Sequence, residues 1–356
     1  MSIMKTPLVS VVIPAFRSGR LISESVESVT AQTISDWELI IVDNNASEET
    51  RIAIKNSMKK HPFKIRIVHE PIQGNSSARN RGIFESKGKY VALLDDDDQM
   101  LPQRLEKQLE IIERNPDSSI VHCRIDYVGF DGKTVLRSNK SNDIQEWAKI
   151  LFGDHPRFPS DPPRSILPST SLFSKKLALK LGGFDERFNP FCVEDTEFSL
   201  RMWEEGPCPE AEESLILFRT PSPEFLLMKR KNNLNLAQSL RNMNLFFSLL
   251  SEKYYRAGNK DSSRRFRKIR SQWLREIAQE VLRISDGQES AKVLLKRAIS
   301  DQPMELKNWK WLFRAYLQLN EKKNTKNSDE TRMDIECLIS KKELENILSI
   351  KNEYVF

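Results

Sequence analysis

Short apolar runs alternate with amphipathic stretches through the first third of the chain. Leu8–Ile13, Trp37–Val42, Ile65–His69, Tyr90–Leu94 and Ser119–Cys123 are nearly unbroken apolar segments, as expected of strands covered on both faces. Between them, Leu21–Gln32 carries Leu21, Ile22, Val26 and Val29 at helical steps. Arg51–Lys60 and Gln103–Arg114 also read as helices, with Pro102 placed at the start of the latter. This alternation predicts an α/β fold built on a mostly parallel, Rossmann-like sheet with flanking helices. From Tyr127 to Pro168 the pattern weakens. Asp131-Gly132 marks a hairpin turn, and His155–Pro168 holds five prolines in fourteen residues, so it is either a loop over a site or a plain connection. Leu177–Gly183 and Glu194–Glu205 read as further helices. Beyond Pro223 the chain is almost continuously helical, with segments at Leu234–Lys253, Ser262–Arg283, Ala291–Ser300 and Leu306–Leu319. Lys322–Arg332 is polar, lacks periodicity and reads as a flexible link. Two regions follow: an α/β domain over 1–222 and an all-helical region over 223–356.

Composition narrows the class. With 356 residues, 39% hydrophobic and 30% charged, the chain suits a globular protein, and no stretch nears the ~18 apolar residues of a membrane span. Leu8–Ile13 is too short for a signal-peptide core and is broken by Pro14. Cys123, Cys192, Cys208 and Cys337 are scattered without metal-ligand spacing, which predicts a reducing, cytoplasmic setting. Four separated histidines make an imidazole-built zinc site an unfavoured expectation. The net charge of +6 is modest; acidic residues gather at 95–98 and 194–197, and a basic run fills Lys260–Arg275. A nucleic-acid surface more often interleaves aromatics and glycines with its basic residues on one face; that pattern is absent from the N-terminal half, so no nucleic-acid partner is expected.

The run Asp95-Asp96-Asp97-Asp98 after an apolar strand is the most informative stretch. Adjacent like charges repel, and a hard divalent cation such as Mg²⁺ or Mn²⁺ relieves that repulsion through oxygen ligands. The end of a parallel strand is also where open α/β sheets bind ligands. The simpler reading of such a cluster alone is a solvated acidic turn. Other landmarks accompany it in order: Val9-Ser10-Val11-Val12-Ile13-Pro14-Ala15-Phe16, Trp37-Glu38-Leu39-Ile40-Ile41-Val42-Asp43-Asn44-Asn45, Gly74-Asn75-Ser76-Ser77-Ala78-Arg79-Asn80-Arg81-Gly82, Gly182-Gly183-Phe184-Asp185-Glu186 and Glu194-Asp195. Together they resemble the family 2 glycosyltransferases of bacterial surface-glycan type, over about residues 7–220; one such motif is weak evidence, six in sequence are not.

The resemblance implies a GT-A fold and an inverting sugar transfer from a nucleotide diphosphate donor to a saccharide or lipid-linked hydroxyl acceptor. The donor pocket falls to Pro14, Ala15 and Phe16 with Asp43 and Asn44. Pro14 is expected to fix a turn and Phe16 to offer an apolar surface, with core packing the simpler role. Asp43 is expected to accept from base or ribose, or else to cap a turn. Many relatives carry two aspartates where this chain has Asp43-Asn44, and Asn44 donates as well as accepts, so the nucleotide stays open. Arg79 borders the nucleotide or forms a structural salt bridge. Asp95-Asp96-Asp97 satisfies the family's Asp-x-Asp metal pattern, with Asp97 the direct ligand and Asp95 or Asp96 contacting ribose, the cation or its water. Asp98 is expected to cap the following helix. Asp195 is the implied general base, and Glu194 an acceptor-orienting partner.

Rival readings are a sugar-1-phosphate nucleotidyltransferase and a non-catalytic scaffold on a transferase-like domain. The first wants a glycine-rich basic loop after the first strand, where this chain offers only Arg17-Ser18-Gly19-Arg20. Retention of Asp95, Asp97 and Asp195 together speaks against the second. Within the basic run, Phe266, Ile269 and Trp273 share one helical side. Residues 260–275 therefore suit peripheral contact with an anionic membrane, at the inner face of the cytoplasmic membrane. A core-facing stripe with a solvated basic back is the simpler reading.

Overall fold

A computed structural model of the chain describes residues 6–61, 64–129, 135–136, 166–219, 234–282 and 288–317. The expected turn at Asp131-Gly132, nearly all of the proline-rich stretch, the 322–332 link and Cys337 lie outside these residues. The described residues form two compact units, 6–219 and 234–317.

The first unit is built on one mixed nine-stranded sheet. Its strands are β1 (Val9–Ala15), β2 (Trp37–Asp43), β3 (Ile65–His69), β4 (Tyr90–Leu93), β5 (Gln99–Met100), β6 (Ile120–Val128), β7 (Val135–Leu136), β8 (Leu172–Ser174) and β9 (Glu210–Arg219). They run in the order β3-β2-β1-β4-β8-β6-β9-β5, with β7 on β6. The β3-β2-β1-β4 half is parallel. β8 pairs antiparallel with β4 and β6, while β6 and β9 are parallel. Helices α1 (Leu21–Thr30), α2 (Glu48–Lys60), α3 (Asn75–Glu85), α4 (Arg104–Arg114), α5 (Lys175–Lys180) and α6 (Glu194–Glu205) flank it. Val11, Ile13, Leu39, Ile41 and Leu105 fill one layer of the core. Val12, Ile40, Val42, Ala78, Ile83, Val91 and Phe173 fill the other. Both faces of β1, β2 and β4 are thus covered, which is why these strands read as unbroken apolar runs, while β3, at the sheet edge, is only partly buried.

Pro14 is corrected from a turn residue to a strand residue. β1 continues to Ala15, with Pro14 opposite Val42 in the parallel register. The Val12 carbonyl accepts from Leu94 N at 3.0 Å. Pro14, two residues on, points to the same side, where β4 has already ended, so its missing N–H breaks no ladder bond. α2 begins earlier than its apolar pattern suggests because Ser47 caps it, its side chain accepting from Thr50 N.

α3 lies over β1 and β2 and approaches them closely. A Cβ on Gly82 would sit 2.1 Å from Cγ1 of Val12, so only glycine permits this packing.

The second unit consists of α7 (Leu234–Arg256), α8 (Lys260–Val281), α9 (Gln288–Asp301) and α10 (Leu306–Tyr316). α8 carries the basic run, and its apolar stripe is directed inward. Phe266 is buried and stacks on Tyr254 with centroids 5.4 Å apart. Trp273 packs near Phe247 at 6.4 Å, and Arg270 is buried against Asp301 at 2.7 Å. The membrane-facing role expected of 260–275 is therefore corrected: this stripe belongs to the unit's own core. Among the described residues, no helix is long and apolar enough to cross a membrane.

The fit of α3 on the sheet has a direct test. Gly82→Ala should lower stability by about 1–3 kcal/mol, because the branched Val12 side chain cannot retreat without strain. The urea midpoint is expected to fall at unchanged slope; an unaltered midpoint would contradict the packing described.

Candidate active site

The sequence-predicted residues converge on the C-terminal ends of β1, β2 and β4 and on the first turn of α6. Asp43 closes β2. Its Oδ1 accepts from Ala46 N at 2.8 Å and its Oδ2 from Arg51 Nε at 2.9 Å. Burial pushes this carboxyl up, yet the Arg51 and Ala46 hydrogen bonds outweigh it and hold the pKa below its ordinary value. Asp43 thus secures the turn, its simpler expected role.

The Asn44 side chain is engaged within the chain itself. Its Nδ2 donates to the carbonyls of Glu70 and Ile72 at 2.8 and 2.7 Å. Its Oδ1 accepts from Gly74 N and Gln73 Nε2 at 2.9 and 3.1 Å. Two donors and two acceptor positions are all filled, so this side chain holds the 70–74 loop. Ala15 is buried at the end of β1. Phe16, next to it, is exposed rather than part of the core. The Arg17 guanidinium lies 4.7 Å from its ring centroid.

The acidic run is a tight turn, closed by Asp98 N donating to Asp95 O at 3.2 Å. Its four carboxylates have different surroundings. Asp96 accepts from Phe16 N at 2.9 Å, which joins the run to the end of β1. Burial, reinforced by the Asp95 charge, pushes its pKa up to about 6. For Asp97, burial and then the charges of Asp96 and Asp95 push it up to about 7. Asp98 is fully buried and is not a helix cap. It accepts from Ser169 Oγ at 2.6 Å and Arg219 N at 2.9 Å, while α4 starts after Gln103. Burial, Asp95 and Asp97 raise its pKa well above the ordinary carboxylate range.

Glu194 and Asp195 stand in the first turn of α6. Cys192 and Val193, just before them, have φ of 85° and 67°. Left-handed backbone at a β-branched residue is costly, on the order of 1–3 kcal/mol, and persists where surrounding contacts impose it. Those contacts are visible: Glu194 Oε1 accepts from Arg79 Nη1 at 3.0 Å and Asn75 Nδ2 at 3.1 Å. Glu194 is buried, so it anchors the helix start. Asp195 Oδ1 accepts from Thr196 N at 2.7 Å. Burial first, then the Glu194 charge, raise the Asp195 pKa, with Arg79 opposing. The Gly182-Gly183-Phe184 segment aligns α3 with α6. Gly183 (φ 70°) leaves room for Asn80, whose Oδ1 would be 2.3 Å from a Cβ there. Phe184 stacks on Phe198 of α6 at 4.1 Å.

Arg79 joins the two acidic groups. It is only 3% exposed, with Nη2 3.1 Å from Asp95 Oδ1 and Nη1 3.0 Å from Glu194 Oε1. The salt-bridge reading of Arg79 holds, and the bridge spans both motifs.

Sequence reasoning missed Ser169, Arg219 and Glu24. Ser169 Oγ accepts from Asp95 N at 3.0 Å besides donating to Asp98. Arg219 Nε donates to Asp97 O at 2.9 Å and its Nη2 meets Glu24 at 2.5 Å. No local pattern marks these residues, because each reaches the run from a distant part of the chain.

Among the described residues, no group of three or more His, Cys, Asp or Glu side chains forms a ready-made metal cluster. A Mg²⁺ or Mn²⁺ held by one or two carboxylates and substrate phosphates needs no such cluster. The donor set suits it: Asp97 carries a carboxyl whose proton affinity is raised by burial and by two neighbouring acids, a strain that a cation relieves.

The chain is thus an α/β protein whose acidic turn, at a strand end, is tied through Arg79 to an acidic helix start. Comparison with known proteins identifies its family. The model for glycosyl transferase family 2 matches residues 10–182. An uncharacterised glycosyltransferase of Methanocaldococcus jannaschii is 30% identical over 233 residues, 64% of this chain and 76% of that protein. A Bacillus subtilis protein provisionally named a teichuronic acid biosynthesis glycosyltransferase is 36% identical over 126 residues, covering 35% of this chain and 47% of its own length. Among solved structures, Staphylococcus aureus TarS 1–349 in complex with UDP has TM-score 0.48 and 15% identity, over 87% of this chain and 91% of that one. The chain belongs to glycosyl transferase family 2 and is a glycosyltransferase.

The acidic run predicts a pH signature. Asp96 and Asp97 have folded-state values of about 6 and 7 against an unfolded 3.8. The folded chain therefore holds protons that the unfolded chain releases, and their contribution to stability is lost as pH rises from about 4 through about 7. Urea midpoints of the metal-free chain are expected to drop between pH 5 and pH 8, and less so in Asp97→Asn. Equal drops in both would contradict the assignment to Asp97.

Proposed function

We propose that this glycosyltransferase inverts the anomeric centre as it moves a sugar from a nucleotide diphosphate donor to a hydroxyl of a saccharide or lipid-linked acceptor. The observation that carries this reading is the Arg79 bridge, which holds Asp95 and Glu194 on the two ends of one guanidinium. It sets the acidic turn and the Asp195-bearing helix start beside each other, as single displacement requires of a donor site and a base.

In this reading, Asp195 takes the proton from the acceptor hydroxyl as its oxygen attacks the anomeric carbon and the nucleoside diphosphate departs. A carboxylate whose pKa is raised is better matched to that task than an ordinary one. Glu194 and Arg79 position it. Asp97, with the free oxygen of Asp95, would hold Mg²⁺ or Mn²⁺. The ion's chemistry is Lewis-acid neutralisation of the departing diphosphate. Phe16 offers its exposed ring to the nucleotide, and Asp96 fixes Phe16 through the backbone. The relative named for teichuronic acid biosynthesis supports a polysaccharide acceptor.

Thermal-shift screening of nucleotide diphosphates and their sugars, with and without Mn²⁺, should identify the donor as the strongest stabiliser. Asp97→Asn is expected to lose the cation-dependent part of that stabilisation. Asp195→Asn is expected to keep it while sugar transfer falls about 10²–10⁴-fold. Undiminished transfer by Asp195→Asn would remove it as the base.

A further inference from the structure

The last described helix presents an apolar face that none of the described residues buries. Leu306 is 78%, Trp309 49% and Phe313 65% exposed, and Tyr316 and Leu317 continue the row. Steps of three and four residues place all five on one side of α10. The opposite side is the packed one: Asn308, Leu312 and Ala315 are buried, and Asn308 Nδ2 donates to Ser271 Oγ of α8 at 2.9 Å. The row is therefore additional to what α10 needs for its own fold.

Cations line this face. Lys307 and Lys310 are exposed beside it, and the Arg314 guanidinium lies 4.8 Å from the Trp311 ring centroid. From α9, Lys292 and Lys296 approach Tyr316, with Nζ 4.7 and 6.0 Å from the ring centroid. Of the described acids nearby, Glu289 pairs with Lys292, and Glu305 Oε1 accepts from Lys307 N. Trp, Phe, Tyr and Leu in a row with Lys and Arg at the margins is the make-up of a helix that lies in a membrane interface. Aromatic rings sit at headgroup level and cations meet anionic phosphates.

We propose that α10 is a docking surface for an anionic lipid bilayer, its Leu306–Trp309–Phe313–Tyr316 row entering the headgroup boundary. A second copy of this chain is the less fitting occupant. A two-fold contact sets a patch against itself, which would oppose Lys307, Lys310 and Arg314 to their own copies. The inference does not depend on the reading of the acidic site, and it replaces α8 by α10 as the membrane-facing element.

The test is co-sedimentation of the full-length protein with vesicles of phosphatidylcholine alone or with about one third phosphatidylglycerol, at low and high salt. Binding is expected only with the anionic vesicles, to weaken as salt rises, and to fall about tenfold or more in Trp309→Glu/Phe313→Glu. Both side chains are exposed and the substitution removes only the Trp309 Nε1 hydrogen bond to Pro303 O, so thermal unfolding should shift little beside the loss of binding. Lys310→Glu/Arg314→Glu, which keeps the apolar row, should also weaken binding. Absence of binding to anionic vesicles would overturn the proposal. So would a wild-type dimer in sedimentation that becomes monomeric in Trp309→Glu/Phe313→Glu, which would assign the face to a second copy. Equal binding by wild type and both variants would overturn it as well.

Discussion

A guanidinium with almost no access to water, held between carboxylates from two distant segments, is the constraint on which the catalytic unit is arranged. Arg79 stands on α3, Asp95 follows β4, and Glu194 opens α6. A buried charge is tolerable only when its partners are well placed, so the three elements cannot shift independently. The planar fork of arginine suits the task, since two separate nitrogens reach two separate acids. With two acids on one cation, negative charge remains in excess nearby. That surplus, added to burial, is what raises Asp195.

The acidic turn shows how four consecutive, chemically identical residues acquire different tasks. Asp98 is turned inward and bonded to Ser169 and to the backbone of Arg219. Asp96 ties the run to Phe16, and Asp95 to Arg79. Asp97 is left with the least structural duty and a high proton affinity. β9 and the short turn before β8 supply Arg219 and Ser169, so the mixed half of the sheet shapes a site that lies at the ends of the parallel half.

Much of this was legible in the chain. Continuous apolar runs identified β1, β2 and β4 because both faces of those strands are covered, and α6 was bounded at Glu194 and Glu205 by charge and apolar spacing. What failed shares a physical cause: the deciding contacts were non-local. β9 begins with Glu210, Glu212 and Glu213 and does not look like a strand until β6 pairs with it. β5 and β8 are two and three residues long, too short to show a period. The loop-holding bonds of Asn44 to residues 70–74 were not legible because they depend on how the loop after β3 returns. The stripe of Phe266, Ile269 and Trp273 could not be told from a lipid-facing one by spacing alone. Periodicity reveals that a face is apolar, and only the neighbouring helices decide what it touches.

The left-handed turn at Cys192 and Val193 bears on how this protein can be improved. Glycine adopts such a conformation without penalty, so a search for sturdier variants would be drawn to that spot. Yet the stiffness of the branched side chain there narrows the range of angles at which α6 can begin. Robustness and aim are opposed at this corner, and a hardier protein obtained by relaxing it would hold the Asp195 side chain more loosely.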